Sequence, residues 1–255
     1  MKAVSEVYET DHSYVKKRGK NMTKKEILDA IHGQMIISCQ AVEGEPLYVE
    51  EKSIMYLMAR AAKQAGTPAI RTSSIRDVIA IKEETGLPVI GLVKIQYPGY
   101  EGYITPTMKE VDDLAAAGAD VVALDCTLRK RGDGTTVNEF IAQIKEKYPD
   151  IILMADISNY EEGINAWKCG VDIVGTTMSG YTAYTISGND EPDYELMERL
   201  ARDTDIPVIG EGRIHYPDQA VRALQTGVWA IVVGGAITRP LEIALRFQKK
   251  IRESR

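Results

Sequence analysis

The sequence predicts a single α/β domain, a (β/α)8 barrel over residues 22–255 with a short helix ahead of its first strand, and three observations carry that prediction. Eight short apolar runs alternate with segments of helical periodicity. Glycines close a helix just ahead of a strand at Gly66, Gly118, Gly170 and Gly227, spaced 52, 52 and 57 residues apart. Prolines occupy the intervening helix-to-strand turns at Pro88, Pro149 and Pro207. Two strand–helix units per period of about 50 residues, four times over, make the eight that close a barrel. An open doubly wound sheet would carry a glycine-rich loop after its first strand, and Ser38-Cys39-Gln40-Ala41 is not one.

Residues 1–21 are charged, poor in apolar side chains and end in the basic cluster Lys16-Lys17-Arg18, which predicts a flexible extension. Thr23 and Glu26 then form a T-x-x-E capping box, and Ile27, Leu28 and Ile31 supply the apolar stripe of the leading helix. The predicted strands are Met35–Ser38, Ala69–Arg71, Val89–Val93, Val121–Leu124, Ile151–Ala155, Ile173–Gly175, Val208–Ile209 and Ile231–Val233. Being continuously apolar rather than alternating, they read as parallel strands covered on both faces. Between the first two, Ile54, Leu57, Met58, Ala61, Ala62 and Ala65 fall at helical spacing and predict a core-facing helix. Glycine suits the helix ends because the residue after a helix often turns left-handed.

Composition narrows the function. Of 255 residues, 44% are hydrophobic, enough for a large core, and Lys+Arg 31 against Asp+Glu 37 leaves a net charge of -6. No basic field would draw the chain to nucleic acid or an anionic membrane. No apolar run reaches the roughly 18 residues of a membrane span, and the first twenty residues lack the apolar core of a secretory signal. Cys39, Cys126 and Cys169, without C-x-x-C spacing, suit free thiols in a reducing cytoplasm.

Barrels of this kind carry their active sites at the C-terminal ends of the strands. Here those ends are Cys39-Gln40, Arg71, Lys94, Asp125, Asp156, Thr176-Thr177, Glu211 with Arg213, and Gly234-Gly235. A purely structural rim does not need so much charge after so many buried runs. An ordinary lysine is neutral about 0.04% of the time at pH 7. Burial can lower its pKa by up to about 3–5 units, so Lys94 is a candidate base. Glu211, between Gly210 and Gly212, could give or take a proton or pair with Arg213. Gly234-Gly235 leads through Arg239 to Pro240, which suits the first turn of a helix. Together with Gly212 that makes a candidate phosphate site, where barrels usually bind phosphate. The Tyr-rich loops Ile95–Tyr100 and Ser179–Tyr184 are expected to surround the mouth. Cys39 and Cys126 read as packing residues. His12, His32 and His215 are the only histidines, none falls at a strand end, and no metal or cofactor is expected.

Several of these motifs, taken in order, resemble a known family. They are Ser38-Cys39-Gln40-Ala41 with Glu45-Pro46-Leu47, Ala69-Ile70-Arg71, Gly91-Leu92-Val93-Lys94, Ile104-Thr105-Pro106-Thr107, Ala123-Leu124-Asp125, Met154–Ser158, Thr176–Thr182, Glu211–Ile214 and Val233–Pro240. Over about residues 23–250 the chain resembles the N-acetylmannosamine-6-phosphate 2-epimerases. The resemblance implies a TIM barrel that interconverts N-acetylmannosamine 6-phosphate and N-acetylglucosamine 6-phosphate in sialic acid breakdown. It also implies substrate contacts from Gln40, Arg71, Lys94, Asp156, Glu211 and Arg239, with Lys94 and Glu211 nearest the proton transfer. It implies a homodimer that packs its last helices together. Two departures stand beside the motifs: Thr72-Ser73 in place of Ala-Asn, and Lys130-Arg131-Gly132 in place of Arg-Pro.

Epimerisation at C2 needs an open-chain aldehyde, a base for the C2 proton, and proton return to the other face. Lys94 would move that proton, Glu211 would assist at the second face or at O1, and Arg71 and Asp156 would orient the sugar and stabilise the oxyanion. The alternatives are another phosphosugar isomerase, a Schiff-base aldolase using Lys94 as nucleophile, or a sugar-phosphate binding protein without catalysis. A metal-dependent pentose-phosphate epimerase would want histidines where Arg71 and Lys94 stand.

Overall fold

A computed structural model describes residues 22–186 and 188–254. The expected extension at 1–21 lies outside the described residues. Eight parallel strands form a closed barrel in chain order: β1 (Met35–Ser38), β2 (Ile70–Ser73), β3 (Val89–Leu92), β4 (Val121–Asp125), β5 (Ile152–Asp156), β6 (Ile173–Gly175), β7 (Val208–Glu211) and β8 (Ala230–Val233), the last pairing with the first. Each predicted run became a strand, with ends shifted by at most two residues.

The helix ahead of β1, α1 (Lys24–Ile31), carries both halves of the Thr23/Glu26 capping box. Its buried Ile27 and Ile31 join the side chains that fill the barrel interior, including Ile36, Ile90, Val121 and Ile152. The remaining helices are α2 (Met55–Gln64), α3 (Ile75–Thr85), α4 (Met108–Ala117), α5 (Val137–Lys147), α6 (Tyr160–Lys168), α7 (Tyr194–Asp203), α8 (Pro217–Gln225) and α9 (Pro240–Glu253). The outer core lies between the strands and this helix layer, which explains runs that are apolar on both faces.

All four repeat glycines are left-handed, with φ between +80° and +91°. The α2 stripe is rotated from the expected one. The buried face runs through Met55, Ala59 and Ala62, whereas Leu57 is 42% exposed and Ala61 and Ala65 face solvent. Alanines on both sides of this helix blur its periodicity, so spacing alone chose a face one residue out of phase.

Candidate active site

A cavity of about 310 Å³ opens at the C-terminal mouth of the barrel. Gln40, Arg71, Lys94, Glu211, Gly212, Gly234, Gly235 and Arg239 all line it. Strand ends deliver them: Arg71 is in β2, Asp156 closes β5, Glu211 closes β7, and Lys94 follows β3. An antiparallel bridge between Lys94 and Ile104 pins the lysine's backbone as the chain returns toward β4.

Asp156 is fully buried behind the cavity wall and reaches it through partners. Arg71 donates to its Oδ2 at 2.6 Å and lies 3.5 Å from Glu211 Oε2. Thr177 Oγ1 is 2.7 Å from Asp156 and 3.1 Å from Glu211. That hydroxyl has one proton and two carboxylates in reach, so a protonated Glu211 would satisfy the longer contact. Burial, helped by Asp156, raises the Glu211 pKa despite Arg71, Thr177 and Lys94. Burial works against the Arg71 charge, but Asp156 and Glu211 outweigh it and hold its pKa above the ordinary value. Lys94 behaves oppositely: burial first, then the charges of Arg239 and Arg71, lower its pKa to about 8. Gln40 donates to Ser38 Oγ at 2.9 Å, and its own Oε1 is buried without a hydrogen-bond partner.

At the opposite wall Gly212 is left-handed at φ +106° and Gly234-Gly235 turns from β8 into α9, which starts with Pro240. A Cβ on Gly234 would lie 3.2 Å from that of Ser38, and one on Gly235 would lie 2.1 Å from the Glu242 carboxylate. Arg239 sits between Glu45 at 3.0 Å and Glu242 at 2.8 Å.

Several expected features differ. Asp125 turns aside to Arg129 (2.6 Å) and Thr127 and does not line the cavity. Glu211 pairs with Arg71, not with Arg213. Of the loop tyrosines only Tyr181 lines the mouth; Tyr97 bonds Glu110, Tyr184 bonds Glu162, and Tyr100 packs on Gly132. The hydroxyls of Tyr97 and Tyr184 find carboxylates on α4 and α6, and the tyrosines left on the cavity are Tyr103 and Tyr181. His215 does line the cavity, four residues past Glu211, with a pKa lowered by burial and by Arg246. Among the described residues no three His, Cys, Asp or Glu side chains are grouped to hold a metal ion. Burial pushes the Cys39 thiol up to about 12, and that of Cys126 well above its ordinary value, so both pack as thiols. Sequence reasoning also missed Tyr103, His215 and Glu242, which sit beyond the strand ends where the strand rule does not look.

The family described as "Putative N-acetylmannosamine-6-phosphate epimerase" matches residues 55–253. The chain belongs to this family. A relative from Caldanaerobacter subterraneus subsp. tengcongensis, named "Putative N-acetylmannosamine-6-phosphate 2-epimerase", is 53% identical over 90% of this chain and 96% of its own length. One of the same name from Clostridioides difficile is 48% identical over 88% of this chain and 99% of its own. The solved structure of the N-acetylmannosamine-6-phosphate 2-epimerase from Clostridium perfringens superposes with a TM-score of 0.83 at 46% identity, covering 91% of this chain and 99% of that one. The two segments that the sequence reading set apart from this family's pattern act as braces in the structure. Thr72 donates to the Cys39 carbonyl at 2.7 Å. Arg131 donates to the Pro106 carbonyl at 2.7 Å and lies 3.9 Å over the Phe140 ring.

Proposed function

We propose that this chain interconverts N-acetylmannosamine 6-phosphate and N-acetylglucosamine 6-phosphate by moving the proton on C2. The observation that carries this reading is an amine held at a pKa of about 8 in the same cavity as a carboxyl whose pKa is raised. At pH 7 such a lysine is neutral roughly a tenth of the time, against about 0.04% for a free one. Once the ring is open, the Lys94 amine takes the C2 proton and electrons pass to the carbonyl oxygen. Glu211, whose pKa burial raises, assists at the charge developing on O1 or hands a proton to the other face of C2, and protonation there gives the epimer. Arg71, fixed by Asp156, adds a permanent positive charge beside that oxygen. Gln40 orients sugar hydroxyls, and Gly212, Gly234, Gly235 and Arg239 receive the phosphate. No step calls for a cofactor or metal.

The test is turnover of N-acetylmannosamine 6-phosphate in D2O. Deuterium at C2 of the product and a kcat/KM that rises with pH to a plateau above about 8 are expected. Product without label, or borohydride trapping of substrate on Lys94, would replace this reading with another chemistry.

The same reading places the enzyme in the cytoplasm, in breakdown of sialic acid and other amino sugars. Free Cys39, Cys126 and Cys169 agree with a reducing compartment. No helix among the described residues is long and apolar enough to cross a membrane. A homodimer through the last helix is supported by α9, which has no buried residue and exposes Leu241, Leu245, Phe247 and Ile251.

A further inference from the structure

The cations lining the cavity differ in what already balances them. Arg71 is matched by Asp156 at 2.6 Å, with the Glu211 carboxyl 3.5 Å away. Arg239 is matched by Glu45 and Glu242. Lys94 can shed its charge near pH 8. Arg213 lines the same cavity and its side chain forms no ion pair or hydrogen bond with the described residues. Its Nε is buried without a partner, an arrangement that folded proteins seldom leave empty.

Two backbone features hold it there. Arg213 has φ +56°, one of three positive values among the described non-glycine residues. Gly180, at φ +82°, makes room for the guanidinium, since a Cβ there would lie 1.6 Å from Nη1. A left-handed arginine in a glycine cradle is costly to arrange, and strain of this kind collects where a ligand is bound. Gly212 precedes it directly, so the turn expected to offer a main-chain N–H to phosphate also carries this side chain.

We propose that Arg213 is the principal guanidinium at the anionic end of the substrate, beside Arg239, whose charge is already shared with Glu45 and Glu242. This rests on the reading of the substrate as a sugar phosphate. A dianion brought to Arg239 alone would face Glu45 and Glu242, whereas at Arg213 it supplies the missing partner.

The experiment measures inorganic phosphate binding by calorimetry, and KM for the sugar phosphate, in wild type, Arg213→Gly, Arg213→Lys and Arg239→Ala. Glycine accepts the left-handed backbone and removes an unpaired charge, so Arg213→Gly should fold with an unchanged or higher Tm. Its phosphate affinity should fall, and its KM rise, on the order of ten- to a hundredfold, while kcat stays within about threefold. Arg213→Lys should recover part of the loss. A lower Tm with phosphate affinity intact would make Arg213 a structural residue and overturn the inference. Loss in Arg239→Ala with retention in Arg213→Gly would overturn it while sparing the sugar-phosphate reading. A wild type that binds no phosphate, and turns over the sugar equally well without it, would overturn both.

Discussion

The two ends of the barrel treat polar groups differently. At the N-terminal end the repeat that places Gly66, Gly118, Gly170 and Gly227 also places a tie just after each glycine. Asp120 accepts from the Val89 N–H at 2.8 Å and from Lys82 at 2.5 Å. Asp172 accepts from the Leu153 N–H at 2.8 Å and from Lys24. Thr67 donates to the Met35 and Ala69 carbonyls, and Trp229 donates to the Leu28 carbonyl of α1 at 2.8 Å. At the C-terminal end the Arg213 side chain has no ion-pair or hydrogen-bond partner among the described residues, Lys94 holds a depressed pKa, and Gln40 Oε1 and Arg71 Nε are buried without hydrogen bonds there. Internal partners fix the first end. The second leaves positions for a ligand to fill, at a cost in stability that packing elsewhere offsets.

The largest departure from that contrast should come from Lys94→Ala. Turnover should fall by about a thousandfold or more, as loss of a general base predicts. The barrel should become more stable, because a lysine with a folded pKa of about 8 destabilises the fold wherever the free side chain is still charged. The sign follows from proton binding. Between about pH 8 and the ordinary lysine value of 10.5 the unfolded chain binds the extra proton, so wild-type stability rises with pH there. The variant should lack that rise. Lys94→Arg should be inactive as well, since guanidinium stays protonated. A tenth of wild-type turnover in Lys94→Ala would remove it as the base.

Next in size is Asp156→Ala. Asp156 and Arg71 are 0% and 1% exposed, and removing one member of such a pair leaves a buried charge uncompensated. The expected loss is about 3–5 kcal/mol, read by urea denaturation, together with most of the activity. Glu211, 3.5 Å from Arg71, is the group that could soften this, and a loss under about 1 kcal/mol would mean that it does.

Arg239→Ala should be milder. Its charge is shared with Glu45 and Glu242, so phosphate recognition should weaken on the order of tenfold, seen as a higher KM for the 6-phosphate. An equal loss on N-acetylmannosamine itself would make Arg239 a clamp between the β1–α2 loop and α9 rather than a phosphate ligand.

The eight strands and the residues at their ends were legible because both follow from short-range pattern: continuous apolar runs, glycine and proline stops, then charge. Gln40, Arg71, Lys94, Glu211 and Gly234 fall on the cavity for that reason. What was not legible depends on side-chain direction or on loop return. Asp125 carries the same strand-end signature as Asp156 yet turns to Arg129, four residues on, which only the loop after β4 could decide. Tyr103 and Ile104 reach the cavity because the long β3–α4 segment folds back on Lys94, a pairing across ten residues that no periodicity announces. The face of α2 was missed because its alanines do not discriminate.

The smallest effect, and the sharpest check on the contrast, is Asp120→Ala. Asp120 follows one of the repeat glycines and Asp156 closes β5, and both are carboxylates bonded to a cation and to one further donor. Its cation, Lys82, is 31% exposed, so water can replace that partner, and the Val89 N–H is left as the main loss. One unsatisfied donor at a partly solvated strand end should cost about 1–2 kcal/mol, or roughly 2–8 °C in Tm for a domain of this size. Turnover and KM should not change, because every contact of Asp120 lies at the end of the barrel away from the cavity. A tenfold drop in kcat/KM would show that the two ends are coupled through β3, which starts at Val89 and leads to Lys94. The separation of fixed from open charge would then be a matter of degree along one strand rather than a division between two faces.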